Sequence, residues 1–385
     1  MAQRHPDRTD PTADDVLARY LREQATEFLR ALRQHRERGA EDTAAPALAL
    51  RRAARRISGT LHTFRPLLDA GWSDGLRTEL AWLSGTLARE HGYAARQERL
   101  LTALHRLSGA SAFPDGPRVH GGSTANGATA NGSTGSGSTG SGGTEAGTTD
   151  GALAGSTGTD SAGAPAKPAG RAPAQTRSTL TVGAAKAGAL LERQLTLSRT
   201  RAHSTALSAL GSSRFHGVAD SVAVLASEVP LRKEAAAHRL EPFAADLAAR
   251  LDEAVAALPL VRAGHPYNAE ALMHGLAADT APDSQDAPWH QVRLLLRLHR
   301  YAAEVTAGNP AHLLDAAEAL DRHRDAAQAA GAAAAAARTP RISPATAYAL
   351  GVLHADQRHE VEASRFTFHR TWHPALPLPH EVPSP

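Results

Sequence analysis

Outside residues 114–178 the chain never alternates Val, Ile, Thr, Tyr or Phe over a useful length, whereas apolar residues recur at helical spacing almost throughout. That periodicity argues against a sheet and predicts an all-α protein. Only 4% of residues are aromatic while 42% are hydrophobic, so the cores must be built from Ala and Leu, both good helix formers. The spacing predicts helices over 11–38, 46–70, 74–108, 181–210, 213–228, 233–258, 286–307, 310–331 and 343–371. Three starts pair an oxygen-bearing cap with a following proline: Asp10-Pro11, Asn309-Pro310 and Ser343-Pro344. The cap accepts from free backbone amides, and the proline has no amide to lose.

Residues 114–178 are dominated by Gly, Ser, Thr, Ala and Pro and hold almost no large apolar side chain. A disordered linker is expected there. Its few charges (Arg118, Lys167, Arg171 and Arg177 against Asp115, Glu145, Asp150 and Asp160) cancel, which makes it a tether without an electrostatic role. The helical residues then divide into 11–113 and 179–373, followed by a Pro-rich tail over 374–385. Long amphipathic helices with short connections pack as antiparallel bundles. The helix over 181–210, with Leu190, Leu191, Leu195, Leu197, Leu207 and Leu210, needs apolar partners and is expected to dock on the second and third helices.

A basic stripe carries the functional signal. His290, Arg293, Arg297 and Arg300 fall on one narrow helix face at about 100° per residue. With no acidic residue within the stripe, an external anion is expected, and guanidinium groups match phosphate oxygens bidentately. A worn copy, Leu48-Ala-Leu-Arg51-Arg-Ala-Ala-Arg55-Arg56-Ile-Ser58, lies 242 positions earlier, so the chain reads as internally duplicated. Lys and Arg number 42 against 39 Asp and Glu, a net +3 at pH 7. General coating of nucleic acid is not supported by so small an excess, and scarce aromatics remove the stacking platforms that single strands use. The 20 histidines hold a positive reserve below about pH 6.5, so anion affinity is expected to rise on mild acidification.

With no cysteine, disulfide frameworks, thiolate zinc sites and cysteine nucleophiles are excluded. The polar first residues contain no secretory signal, and the run Ala332 to Ala337 is far short of the roughly 20 apolar residues a bilayer requires. A cytoplasmic protein without membrane contact is expected.

Several segments together resemble the CHAD family, the conserved-histidine α-helical domains that bind inorganic polyphosphate, in a high-GC actinobacterial form. They are Arg55-Arg56-Ile57 through Thr63-Phe64-Arg65-Pro66-Leu67-Leu68, Glu79-Leu80-Ala81-Trp82-Leu83, Ser212-Ser213-Arg214-Phe215, the His290 to Glu304 stretch, and Arg322-His323-Arg324-Asp325-Ala326. The resemblance covers everything except the linker and tails. It implies two up-down four-helix bundles with pseudo-twofold symmetry, interrupted by the linker, and a basic groove for a phosphate chain. Carried over by residue, it implies polyphosphate contacts from Arg51, Arg55, Arg56, His62, Arg214, His290, Arg293, Arg297, Arg300 and His323. Arg193 and Arg201 of the fourth helix are further contributors. The sequence departs from the family pattern at Leu48, Ser58, Leu294 and Leu298, where basic residues or the histidine would stand, and at Glu90-His91-Gly92-Tyr93, in place of an Arg-Asp pair. Weaker binding than in a typical member follows, and a helical scaffold with a degenerate phosphate pocket is the alternative reading.

Enzyme readings fare poorly. His323-Arg324-Asp325 imitates a kinase catalytic loop, but Ala330 stands where its metal-binding Asn belongs. His359-Glu360 lacks a second zinc histidine, as position 363 is Ala, and His369 with His373 has no carboxylate third ligand. The expectation is a non-enzymatic binder with neither cofactor nor metal, targeted to polyphosphate granules.

Overall fold

The computed structural model describes residues 12–37, 44–109, 172–264, 273, 282–306 and 311–372. They form α1 (Ala13–Glu37), α2 (Ala44–Thr63), α3 (Ala70–Leu107), α4 (Ala172–Leu210), α5 (Ser213–Ser227), α6 (Glu241–Ala256), the single turn α7 (Leu260–Ala263), α8 (Pro282–Thr306), α9 (His312–Ala337) and α10 (Pro344–Trp372). Among the described residues there is no strand, only one antiparallel bridge between Leu68 and Leu231. The all-α expectation therefore holds. Asp10-Pro11, Asn309-Pro310, His373 and the tail over 374–385 lie outside the described residues, as does 114–171 of the expected linker; its last part, from Ala172, is helical.

Several boundaries differ from expectation: the fourth helix starts at Ala172 rather than 181 and α9 runs to Ala337 rather than 331, while two other departures occur at prolines. The second helix stops at Thr63 rather than running to 70, and Arg65–Leu67 form a 3-10 turn. Pro66 cannot donate to the ladder and disfavours helical geometry in the residue before it. Asp69 then caps α3 by accepting from the Trp72 amide at 2.7 Å, so this helix starts four residues earlier than predicted. Similarly, the expected helix over 233–258 is a 3-10 turn at Ala235–Ala237 followed by α6, with Pro242 in its first turn. The Ser343 cap is present, its hydroxyl accepting from the Thr346 amide at 3.3 Å, with Pro344 opening α10.

Apolar side chains gather into two clusters, each drawing on both halves of the chain. The larger packs α1, α2, α5, α6 and α8 around the N-terminal halves of α3 and α9, with Phe28, Phe64, Phe215 and Trp289 nearly solvent-free. The smaller joins Leu100 and Leu104 of α3, Ala187 and Leu191 of α4, Ala333 of α9, and Leu350 and Leu353 of α10. Both α3 and α9 thus run through both clusters.

Helix α4 docks on α3 as expected, where His203 Nδ1 lies 3.0 Å from Glu90 Oε2. Its other partners are the end of α9, through Gln194 and Thr339 at 3.1 Å, and the start of α10, rather than α2. Gly183 makes that last contact possible, because a side-chain carbon there would collide with the Ala345 carbonyl.

Candidate anion-binding groove

The close approach of α2 and α8 builds the site. Gly59 of α2 leaves room for the Tyr301 ring of α8; a side-chain carbon at Gly59 would come within 2.6 Å of it. One turn before Gly59 stands Arg55, and one turn before Tyr301 stands Arg297. The two copies of the basic stripe therefore meet. Arg51, Arg55, Arg293 and Arg297 stand close enough to depress one another's pKa, joined by Arg324 of α9.

Burial is the largest cause of that depression, and the neighbouring guanidiniums add to it. Arg55 and Arg293 fall to about 10, and Arg51 and Arg297 move the same way. All remain charged at neutral pH, so the free protein holds an uncomfortable concentration of positive charge. Arg51 Nε is buried with no hydrogen-bond partner, a donor waiting for an acceptor.

Two adjoining cavities open along this cluster. One, of about 440 Å³, is lined by Arg51, Arg89, His91, Arg96, Arg99, Arg324 and Asp325, with Ala88, Gly92 and Ala95 among the small residues between them. The other, of about 430 Å³, is lined by Arg55, Ser58, His62, Arg77, Ser84 and Arg297 together with Leu80, Ala81, Leu294 and Leu298. Ala88 borders both.

The stripe is not free of acidic partners, contrary to its reading from the sequence. Arg293 Nε donates to Asp321 at 2.6 Å. Arg324 Nε donates to Asp325 at 2.8 Å and has Asp321 at 3.5 Å. Glu304 holds Arg56 at 2.8 Å and Arg300 at 3.7 Å, and accepts from the Tyr20 hydroxyl at 2.9 Å. Burial opposes the charge on Arg56, but the Glu304 hydrogen bond and field hold its pKa above the usual value. Five arginines against Asp321 and Asp325 still leave the heart of the groove positive.

Of the remaining expected contacts, all but His62 lie outside the two cavities. Arg214 pairs with Glu79 at 2.6 Å and lies 4.1 Å above the Trp82 ring, fastening α5 to α3. Arg193 and Arg201 are exposed on α4 and line neither cavity. His323 is only 1% exposed. It stacks on Trp289 at 5.6 Å, accepts from Arg365 at 3.3 Å and lies 3.5 Å from Asp286, so it belongs to a buried polar network, not to the groove. Half-buried His290 packs edge-on against it at 5.7 Å. His62 does line the groove; burial first, then Arg77 and Arg250, push its pKa down. Among the described residues no three His, Asp or Glu side chains gather as a metal-binding group.

The family model for the CHAD domain matches residues 23–334. The chain belongs to the CHAD family. The chain is similar to a solved structure, PptA from Streptomyces chartreusis, at 55% identity, with 94% of this chain and 99% of that chain covered and a TM-score of 0.69. No curated protein is a match.

Arg324, Arg77, Arg89, Arg96 and Arg99 line the groove of this CHAD domain and were not singled out by the sequence reading. A signal existed on α3. Residues 81, 85, 88, 92 and 95 are all Ala or Gly at helical spacing, which reads as a weak apolar face but is the floor of an open channel. No described helix is long and apolar enough to cross a membrane.

Proposed function

We propose that the protein captures inorganic polyphosphate in this groove without transforming it, and that this capture localises it to polyphosphate granules in the cytoplasm. The observation that carries the reading is the convergence of Arg51, Arg55, Arg293, Arg297 and Arg324 from three helices, their pKa values depressed or their partners limited to two aspartates. A phosphate chain would relieve that repulsion at several points at once, with affinity and salt sensitivity both rising with the number of cations engaged. In this reading the two halves of the domain are bundles related by a pseudo-twofold axis, and the groove follows their contact. A bound phosphate would also raise the pKa of His62 and draw a proton onto it, so affinity should increase as pH falls through the histidine range.

A catalytic role is not favoured by the carboxylates present. Asp321 and Asp325 are engaged by Arg293 and Arg324, so neither is free to hold magnesium beside a phosphate. Leu294, 46% exposed in the groove, instead favours the second reading, a scaffold that binds protein through a degenerate pocket.

Titration calorimetry with long-chain polyphosphate at two salt concentrations and two pH values tests the proposal. The wild type should bind tightly and lose affinity with salt, and an Arg55→Ala/Arg297→Ala/Arg324→Ala variant should lose most of it. A folded wild-type protein that releases no heat with polyphosphate would favour the scaffold.

A further inference from the structure

We infer that the cavity beside Leu294 receives the organic group of a nucleoside polyphosphate, whose phosphate chain runs on into the arginine-lined cavity. The inference rests on the proposed anion-binding function of the same groove and names a second ligand class for it. The two cavities differ in chemistry. One presents guanidinium groups with small residues between them. The other has apolar walls made by Leu80, Ala81, Leu294 and Leu298, and its volume of about 430 Å³ falls within the range of small-molecule sites, roughly 300–1,000 Å³.

An inorganic phosphate chain has no apolar surface and gains nothing from such walls. Leu294 nevertheless stands 46% exposed there, within a turn of Arg297, and an apolar patch inside a cationic groove suits a ligand that is part anion and part apolar. The charges are placed for that ligand. Arg55 stands one helical turn from Arg51, which lines the neighbouring cavity, and Arg297 lies within the field of Arg324. A phosphate chain entering between them would pass directly from one cavity to the other.

Hydrogen-bonding groups favour a nucleobase over an alkyl chain. Ser58 and His62 line the apolar cavity, and a hydroxyl and an imidazole supply hydrogen-bonding groups at its wall. The edge of a heteroaromatic base offers partners for both in return, whereas an alkyl phosphate would strip water from these groups and replace it with nothing.

The test is competition binding of ATP and inorganic triphosphate in magnesium-free buffer. The inorganic ion has one more ionisable oxygen, so charge alone favours it. The inference expects ATP to bind at least about tenfold more tightly, as burial of a modest apolar area would give. Leu294→Lys and Gly85→Trp should each bring that ratio towards one. Both positions are exposed, and a side-chain carbon at Gly85 meets no atom within 4 Å, so circular dichroism should show both variants folded. Equal or tighter binding of inorganic triphosphate would overturn the nucleoside inference while leaving polyphosphate capture standing, as would an ATP preference that survives Gly85→Trp, or displacement of ATP by hexyl phosphate at matched concentration. If long-chain polyphosphate also fails to bind, the anion-binding reading of the groove falls with it.

Discussion

Arg293 donates from Nε to Asp321 Oδ1 at 2.6 Å, so a carboxylate of the protein already occupies a donor that a phosphate oxygen would use. Burial opposes the charge on Asp321, but Arg293, Arg324 and Arg297 hold its pKa below the usual carboxylate value. It therefore stays anionic across the physiological range and competes with any incoming anion. Asp321→Asn should strengthen polyphosphate binding by about three- to tenfold at low salt, and calorimetry reads this directly. Weaker binding by the variant would mean that Asp321 holds Arg293 in its binding pose instead.

Gly59 offers a test of how the groove is assembled. Gly to Ala at an ordinary interior helix position stabilises by up to about 1 kcal/mol. At Gly59 the added carbon would lie 2.6 Å from the Tyr301 ring and 3.3 Å from Leu298. The ring cannot easily yield, being 4% exposed and packed near the guanidiniums of Arg56 and Arg300, at 5.8 and 5.3 Å. Gly59→Ala should therefore destabilise by about 1–3 kcal/mol and reduce anion affinity as α2 and α8 move apart. Gly85→Ala, which meets nothing within 4 Å, should instead stabilise. Thermal unfolding of the two variants side by side decides the matter by sign.

What the sequence made legible was local. Helices followed from the spacing of Ala and Leu, and Arg293 and Arg297 from a stripe contained within three turns of α8. Two of the misplaced boundaries fell where proline punctuates an otherwise helical run, at Pro66 and Pro242, whereas the Ala-rich run that carries α9 to Ala337 was cut short at 331. Acidic partners were legible only in part. Arg300 and Glu304 stand at i and i+4, a spacing visible in any sequence, whereas the pairing of Arg56 with the same Glu304 spans 248 residues. Arg324 reads as one charge among several on α9 until α9 is known to lie against α3 and α8, where Arg324 enters the cavity that Arg51 also lines. His323 shows the same limit from the other side. It carries the family resemblance, but the Asp286 and Arg365 side chains that contact it come from the two flanking helices, α8 and α10.

The buried network around His323 should shape the acid limb of stability. Burial is the main cause of its lowered pKa, about 4 against 6.5, partly offset by the bond to Asp286. A depressed pKa means that the unfolded chain takes up the proton first. The contribution is thus fully present above about pH 6.5 and is lost as pH falls towards about 4, at a cost on the order of 3 kcal/mol. His323→Gln keeps an acceptor for Arg365 but cannot titrate. Its stability at neutral pH should be lower than that of the wild type, while denaturant unfolding between pH 6.5 and 4 should show a clearly shallower decline. Parallel declines in the two proteins would assign the acid sensitivity to other groups.

The arginine cluster should cost the free protein stability, which gives a prediction opposite in sign to the usual effect of truncating a half-buried side chain. Arg55 has its pKa lowered to about 10 by burial and by Arg51, Arg293 and Arg324, and its hydrogen bond to the Ser84 hydroxyl, at 3.2 Å, is to a neutral group. Among the described residues no carboxylate pairs with it. Arg55→Met keeps most of the apolar stem, removes the charge and relaxes its three neighbours. In the absence of ligand it should raise unfolding stability by about 1–3 kcal/mol, read as a higher denaturant midpoint. With saturating polyphosphate the order should reverse, because the wild type gains more from a ligand it binds more tightly. A variant less stable than the wild type under both conditions would show that Arg55 is held by contacts rather than strained by charge, and the groove would then lack the electrostatic tension that the binding proposal requires.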